Sequence, residues 1–158
     1  MFAKNSVIAA FTLALGLLAT IPALAAPHCL NVASRVELAA SADPNCASPV
    51  GLCAGGVLHG SLRGNSEFIG TSFVTTVDTG DTGVLILTGD NTIHTPSGDL
   101  YTKDSIVLAT DGVGEFAEVD TVVGGTGDFA NATGKFTATG TFANGVGEGI
   151  LHGEICWP

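Results

Sequence analysis

Hydrophobic and polar side chains alternate along most of the chain beyond residue 56, in short runs that turn-forming residues separate. In the clearest run, residues 133–142, Phe136, Ala138 and Phe142 alternate with threonine and lysine side chains. A period of two is typical of a β-strand that has one packed face and one wet face. No window shows a helical period of useful length, so we predict an all-β protein.

The remaining candidate strands are rich in Val, Thr, Ile and Phe, and turn signals such as Thr88-Gly89-Asp90 separate them. They cover residues 57–63, 67–77, 83–88, 91–95, 100–109, 115–123 and 148–157. Many short antiparallel strands at this spacing predict a barrel or a sandwich. We favour a single closed barrel of about eight strands, because closure removes exposed strand edges.

The N-terminal segment has the pattern of a secretory signal peptide. Lys4 precedes an apolar run over residues 7–18, and small residues around Ala25 suit a signal peptidase. The apolar run is shorter than the roughly 20 residues that a spanning helix needs. We therefore predict that residues 1–26 are removed and that the mature protein is secreted or periplasmic, with no membrane span.

Four cysteines, an even number, predict disulfides in an exported chain. We expect Cys46 to pair with Cys53 across a short loop, and Cys29 to pair with Cys156. The alternative is a metal site made by Cys29, Cys46 and Cys53 with a nearby histidine such as His28 or His59. An oxidising compartment disfavours thiolate ligands, so we predict disulfides and no metal.

The chain divides into three segments on these grounds: the signal peptide, an N-terminal arm over residues 27–55, and the barrel over residues 56–158. The arm is rich in Ala, Ser, Pro and Cys and shows little alternation. We expect the disulfide of Cys29 with Cys156 to tie this arm to the last strand.

Charge and motifs exclude several classes of function. Removal of the signal peptide leaves four basic residues against fifteen acidic ones, a net charge near −11 that would repel nucleic acid. Residues 125–130 satisfy a loose dinucleotide pattern, but a strand follows instead of the required helix, so no cofactor is predicted. Calcium ligation by Asp78 with Asp81, or by Asp90 with Asn91, competes with the ordinary role of these residues in turns.

Two acidic residues are the main candidates for chemistry. Glu118 and Asp120 share one face of the strand 115–123 with Phe116 and Val122. If that face points inward, both carboxyl groups line the barrel, and burial raises their pKa values so that they can act as general acids. If the opposite face, which carries Val119, points inward, both acids are solvated and inert. We favour the second orientation.

Three further residues have weaker claims to a role at a barrel end. His94 and Tyr101 flank a turn and are candidates for proton transfer near the barrel mouth, although a histidine beside a turn is commonly an ordinary surface residue. Trp157 is expected to plug one opening by packing.

The turn between the strands 115–123 and 133–142 resembles the GGTGxFxxAxG signature of the allene oxide cyclase and dirigent-like β-barrel superfamily, including secreted bacterial members that are uncharacterised. The matching residues are Gly124, Gly125, Thr126, Gly127, Phe129, Ala132 and Gly134. The resemblance implies a closed barrel in which these residues are structural. Characterised relatives use the barrel as a cavity that holds a reactive intermediate and steers its cyclisation or coupling.

Three hypotheses for function follow, and the sequence leaves enzymatic activity open. The first is an exported barrel that binds a small apolar molecule or a surface partner. That partner could be a second copy of the chain. The second is a cofactor-free isomerase or cyclase, or a dirigent-like protein. The third is a structural envelope protein, which would follow if Phe116, Phe136 and Phe142 fill the lumen.

Overall fold

The computed structural model describes residues 27–76 and 83–158. The predicted signal peptide and the predicted turn at residues 78–81, with its calcium-ligand candidates Asp78 and Asp81, lie outside the described residues.

Eight antiparallel strands form one closed barrel in which each strand pairs with its neighbours in chain order. The strands are β1 (His28–Ala40), β2 (Cys53–Gly60), β3 (Gly64–Thr76), β4 (Val84–Thr95), β5 (Gly98–Ala109), β6 (Glu115–Gly125), β7 (Thr133–Ala143) and β8 (Val146–Trp157). A short 3₁₀ turn, Gly127–Phe129, lies between β6 and β7. The predicted fold class, an all-β closed barrel of eight strands, is confirmed.

Strand β7 shows how the alternating sequence builds the barrel wall. Phe136 and Ala138 are buried in the lumen, whereas Lys135, Thr137 and Thr139 between them are exposed on the outside. The same parity continues into β6 and β8, which pair with β7 in an unbroken register. The predicted packed and wet faces of this strand are therefore confirmed.

The prediction that residues 27–55 form an arm is wrong for its first half. Residues 28–40 are strand β1, which pairs with β2 and also with β8, and so closes the barrel. Its inward side chains include Val32, Ser34 and Val36, all buried. The Ser34 hydroxyl donates to the carbonyl oxygen of Leu62 at 2.9 Å, which allows a polar side chain to face the core.

The predicted turn at Thr88-Gly89-Asp90 is also wrong, because β4 runs without a break through these residues. Gly89 is buried, and the ring of Phe68 occupies the space where a side chain at position 89 would lie. Asp90 points outward and forms an ion pair with Lys103 on β5. Gly89 and Asp90 are residue types that are common in turns, but here Gly89 allows close packing and Asp90 makes a cross-strand contact.

One end of the barrel, which we call the closed end, is filled by apolar side chains. It is the end at which β1 begins and β8 finishes. Phe129 and Trp157 meet there edge to face, with ring centroids 5.4 Å apart, as the predicted plugging role of Trp157 implies. The other buried side chains near this end are Leu62, Ile93, Leu100, Val122, Ala132 and Ile155.

The glycine-rich turn after β6 is held against the β4–β5 hairpin at the closed end. The amide of Thr126 donates to the carbonyl of Asp99 at 2.8 Å, and the amide of Asp99 donates back to the Thr126 hydroxyl at 2.9 Å. The amide of Asp128 donates to the carbonyl of Ser97 at 2.9 Å. Gly127 has φ +56°, and a Cβ there would collide with the Ser97 carbonyl, so the close approach requires glycine.

Both predicted disulfides are present, and they account for all four cysteines, so no thiolate is free to bind a metal. Cys29 and Cys156 are register partners on β1 and β8, where the barrel closes. Cys46–Cys53 staples the loop between β1 and β2 at the opposite end. Two disulfides are typical of proteins that fold in an oxidising compartment.

No helix among residues 27–76 and 83–158 is long and apolar enough to cross a membrane.

Candidate functional site in the barrel lumen

A cavity of about 190 Å³ occupies the half of the lumen that lies away from the closed end. The part of its wall farthest from the closed end includes Leu38 near the end of β1, Leu108 near the end of β5 and Phe142 near the end of β7. Ala40 lines the cavity and is also exposed to solvent, so the cavity opens at this end of the barrel, which we call the open end.

The loop between β1 and β2 forms one side of this opening. Leu52 and Cys53 line the cavity, and the Cys46–Cys53 disulfide holds the loop to the first residue of β2. The amide of Gly70 on β3 donates to the Leu52 carbonyl at 2.8 Å, and the Ser48 hydroxyl donates to the Gly70 carbonyl at 2.5 Å. The β1–β2 side of the open end is therefore fixed covalently and by hydrogen bonds.

The structure overturns the orientation that we favoured for β6. Phe116, Asp120 and Val122 are buried, whereas Val119 and Val123 on the other face are 44% and 55% exposed. Glu118 and Asp120 both line the cavity. Burying two acids is costly, but the opposite orientation would place Phe116 and Val122 in water, and the barrel instead buries both apolar side chains with the acids between them.

A third acid, Asp104, joins these two to form what we call the acid cluster. Asp104 on β5 is the register partner of Asp120 on β6, and both side chains are only 2% exposed. Carboxylate oxygens of Asp104, Glu118 and Asp120 lie within 4.8 Å of one another. The hydroxyl of Thr102 donates to Oδ1 of Asp104 at 2.5 Å.

Burial raises the pKa of every member of the acid cluster. Desolvation is the largest cause in each case. For Glu118, the neighbouring charge of Asp104 adds to desolvation and raises the pKa to about 8. For Asp120, the charges of Glu118 and Asp104 add to desolvation and raise the pKa to about 12. At neutral pH the cluster therefore holds protons that it can donate.

Several acceptor atoms around the acid cluster have no hydrogen-bond partner. They are Oδ2 of Asp104, Oδ1 of Asp120 and Oδ1 of Asn91, which lies on β4. Asp120 and Asn91 both line the cavity. Buried polar atoms are nearly always paired, and the protons that the acid cluster retains allow a carboxyl O–H of one acid to donate to an acceptor of its neighbour.

The acid cluster offers oxygen ligands of the kind that hard cations prefer. Calcium takes six to eight oxygens, and magnesium takes six. The cavity wall around the three acids is otherwise largely apolar. Phe136 on β7 is the register partner of Asp120, and Ala138 on β7 and Ile106 on β5 are the register partners of Glu118. A metal held here would depend on water for much of its coordination, and the donor set does not point to one.

His94 and Tyr101, the other candidates for proton transfer, lie far from the cavity mouth. His94 is exposed at the end of β4 beside the closed end, where its Nδ1 lies 2.8 Å from Oδ1 of Asp99. That hydrogen bond raises the pKa of His94, and Glu67 at 3.8 Å also favours the charged form. Neither His94 nor Tyr101 lines the cavity, so the structure does not join them to the acid cluster.

The proposed calcium pair of Asp90 and Asn91 does not form a site. The two residues are consecutive in β4, so their side chains point to opposite faces of the barrel wall. Asp90 pairs with Lys103 outside, and Asn91 faces the lumen.

The sequence analysis missed Asp104, Thr102 and the lumen role of Asn91. The signal for the first two was present, because they alternate in phase with Leu100 and Ile106 along β5. Polar residues in phase with buried apolar residues are candidates for a lumen site. The signal for Asn91 was hidden by the assumption of a turn just before it.

The outer surface carries one row of exposed apolar side chains that runs across three strands. Val74, Ile86 and Val107 are register partners on β3, β4 and β5, and they are 62%, 43% and 47% exposed. Adjacent exposed apolar side chains of this kind are candidates for contact with a surface partner or a second copy of the chain.

Comparison with known proteins does not assign the chain to a family. The chain matches no protein-family model, and no curated protein or solved structure matches it. The likeness of the Gly124–Gly134 turn to allene oxide cyclase and dirigent-like barrels thus remains an expectation from the sequence.

Proposed function

We propose that the protein is exported and binds a small, mostly apolar molecule inside the barrel, with the polar end of that molecule at the acid cluster. The observation that carries the proposal is the cavity, which is open at one end and lined almost entirely by apolar side chains. Such a cavity with a few convergent polar groups is the usual form of a small-molecule site. The two disulfides support export.

The size of the cavity restricts the ligand. Its volume of about 190 Å³ is below the roughly 300–1,000 Å³ of pockets that hold drug-sized molecules. The cavity is deep, because it extends from Ala40 at the open end to Asp120 in the middle of β6. A slim molecule with one polar end therefore fits better than a broad, polycyclic one.

A substitution at the mouth tests this proposal. Ala40→Trp places a large ring at the open end, and we expect binding of 1-octanol, measured by calorimetry, to weaken by about tenfold or more. Ala39→Trp is the matched control, because Ala39 is the preceding residue and points to the outer face. Equal binding by both variants and the wild type would mean that the ligand binds elsewhere.

A second candidate function is a cofactor-free isomerase or cyclase. It is favoured by the raised pKa of Glu118, about 8, because a general acid or base works best with a pKa near the operating pH. The resemblance to the allene oxide cyclase and dirigent-like superfamily supports the same candidate. A snug lumen would also hold a reactive substrate in one conformer.

Proton transfer in the lumen can be measured without the natural substrate. The probe is 2-octanone in D₂O, whose α-hydrogens exchange when a nearby group removes and returns a proton. The enzyme hypothesis predicts exchange above background that the double change Glu118→Gln with Asp120→Asn abolishes. Glu115→Gln, an exposed acid on the same strand, should leave the exchange unchanged. If the wild type exchanges hydrogen no faster than the background rate, the acids do not transfer protons to a bound molecule.

The structural hypothesis required a filled lumen. Phe116 and Phe136 are buried, and Phe142 is partly buried, but all three line the cavity and do not fill it. The packing therefore gives this hypothesis no support, and the open lumen favours ligand binding.

A further inference from the structure

We propose that two copies of this chain associate side by side through an uncharged area of the outer barrel wall, with their barrel axes antiparallel. We call this area the neutral face. It lies on the outside of the barrel, so the inference does not depend on what the lumen binds. Its residues are Ser72, Val74, Ile86, Thr88, Ser105, Val107, Ala117, Val119, Thr137, Thr139 and Ile150.

The neutral face consists of two neighbouring register rows that cross the barrel wall. One row runs from Val74 on β3 to Ile150 on β8, and the other runs from Ser72 on β3 to Thr137 on β7. Every position in both rows is Val, Ile, Ala, Ser or Thr, although the chain contains fifteen Asp and Glu residues. The Val and Ile side chains are between 43% and 62% exposed. An apolar, uncharged area of this kind favours contact with another protein surface.

The acidity of the protein restricts where two copies can meet. With fifteen acidic residues against four basic ones after the predicted signal peptide, two copies repel each other over most of their surfaces. The repulsion is smallest where the surfaces that meet carry no charge. The neutral face therefore permits self-association that the rest of the surface opposes.

Opposite charges flank the neutral face on its two sides. On the side nearer the closed end, Lys103 and Lys135 lie two strands apart in one register row. On the side nearer the open end, Glu115 and Glu148 lie two strands apart in another row. When the two barrels are antiparallel, the lysine flank of each copy lies against the glutamate flank of the other. Parallel barrels would instead place lysine against lysine, so the charges select the antiparallel arrangement.

One charge on each flank is available to a second copy. Lys135 and Glu115 are both exposed, and neither forms an ion pair within residues 27–76 and 83–158. Lys135 is the register partner of Thr121, which lies six positions along β6 from Glu115. Six strand residues span roughly 20 Å, so Lys135 and Glu115 of one copy cannot pair with each other.

The hydroxyl groups of the neutral face keep hydrogen-bond partners in the wall when water is removed. The hydroxyl oxygens of Ser72 and Thr88 lie 2.7 Å apart, and the Thr137 hydroxyl donates to the His152 carbonyl at 3.4 Å. Loss of water from these groups therefore costs less than it would for unpaired hydroxyls. The neutral face has fewer residues than the roughly 20–30 a side of a standard interface, so we expect a weak, concentration-dependent dimer.

Sedimentation velocity of the purified protein over about 1–500 μM tests the association, and we expect a shift from monomer to dimer across this range. Val119→Asp places a charge in the middle of the neutral face and should weaken the dimer about tenfold or more. Val123→Asp is the matched control, because Val123 also points outward on β6 but lies beyond the lysine flank. The two variants have the same net charge, and only the first should weaken the dimer.

Charge reversal tests the antiparallel arrangement. Lys135→Glu places acids on both flanks and Glu115→Lys places lysines on both, so each variant alone should dimerise about tenfold more weakly than the wild type. An equal mixture of the two variants should form a heterodimer at about the wild-type affinity, because both contacts between positions 135 and 115 then join opposite charges. Net charge alone predicts a different result, since the less acidic Glu115→Lys variant would then dimerise most tightly by itself.

Three outcomes would overturn the proposal. A wild-type protein that stays monomeric up to about 500 μM would contradict the association itself. Equal weakening by Val119→Asp and Val123→Asp would place the contact elsewhere on the surface. A mixture that associates no better than its two components would contradict the antiparallel arrangement. Circular dichroism checks that each variant keeps its β-structure, and the mixture decides the question even if Val119→Asp folds poorly.

Discussion

The two ends of this barrel are built from the same eight strands, yet one is packed and the other is hollow. At the closed end, Leu100 of β5 is fully buried, and Phe129 and Trp157 cover the opening. At the open end, Leu108 of the same strand is only partly buried and borders the cavity. The comparison assigns stability mainly to the closed end and ligand binding to the open end.

The acid cluster lies between these two ends. It is buried like the closed end, but its side chains are polar. It is buried almost as deeply as the closed end, as the 2% exposure of Asp104 and Asp120 shows. Unlike the apolar core, it contains carboxyl groups whose charged form is made costly by burial. Polar groups that lower stability at the floor of an open cavity are a common property of functional sites.

The disulfides give the largest expected contrast between the ends. Cys29–Cys156 at the closed end closes a loop with a sequence separation of 127, and Cys46–Cys53 at the open end closes one of 7. Loop-closure entropy predicts a loss of roughly 5 kcal/mol in unfolding free energy when the first bond is replaced by serines, and roughly 2.5 kcal/mol for the second. Urea unfolding followed by the fluorescence of Trp157, the single tryptophan, measures both. Equal losses would contradict the expected contrast.

A matched pair of leucines on β5 sharpens the comparison. Leu100→Ala removes a fully buried side chain at the closed end and should lower the free energy of unfolding by about 2–5 kcal/mol. Leu108→Ala enlarges an existing cavity and should cost about 1 kcal/mol or less. The same urea titration reports both variants. A similar cost at the two positions would mean that the open end is packed as tightly as the closed end.

The acid cluster should make the protein less stable as the pH rises. Raised folded-state pKa values mean that the folded protein retains protons that the unfolded chain has lost. The stability is therefore fully present below about pH 4, the usual carboxyl pKa, and is lost as the pH rises towards the Glu118 value of about 8. Glu118→Gln should raise the free energy of unfolding by roughly 1–3 kcal/mol at about pH 8 and change it little near pH 4.

Unfolding curves at several pH values measure this effect, with Glu115→Gln as the exposed control on the same strand. A Glu118→Gln variant with the same pH dependence as the wild type would show that Glu118 is ionised in the folded protein.

The smallest expected effect concerns His94 on the outer surface. Its raised pKa stabilises the folded protein below about pH 6.5, and this contribution is lost as the pH rises through the folded-state pKa. Because the side chain is 44% exposed, His94→Gln should cost less than about 1 kcal/mol at pH 5.5 and leave binding of 1-octanol unchanged. Thermal unfolding and calorimetry check the two parts. Loss of 1-octanol binding would connect this surface to the lumen.

The sequence predicts the barrel well where one face of a strand is uniformly apolar. The strand at residues 133–142 follows that rule, and the pairing of Cys29 with Cys156, expected as a tie between the N-terminal arm and the last strand, is present. Strand β1 was missed because Ser34 interrupts its inward row of apolar residues, although a hydrogen bond to Leu62 satisfies that hydroxyl. Such compensation depends on a residue far along the chain, so no local pattern reveals it.

The candidate site was predicted only in part. Glu118 and Asp120 were identified from their alternation with Phe116 and Val122, but their orientation was wrong because burial of acids is normally unfavourable. The third acid, Asp104, becomes a neighbour only through the register of β5 with β6. The cavity itself depends on how eight strands close, which no single stretch of sequence specifies.

The central claim is that the open end of the barrel holds a ligand. A titration of isotope-labelled protein with 1-octanol, followed by nuclear magnetic resonance, tests this claim most directly. The account predicts that backbone amide signals shift for cavity-lining residues such as Leu38, Leu108 and Phe142, while those of Leu100 and Trp157 at the closed end stay in place. Shifts confined to the outer row around Val107, or no shifts at all, would contradict a ligand site in the lumen.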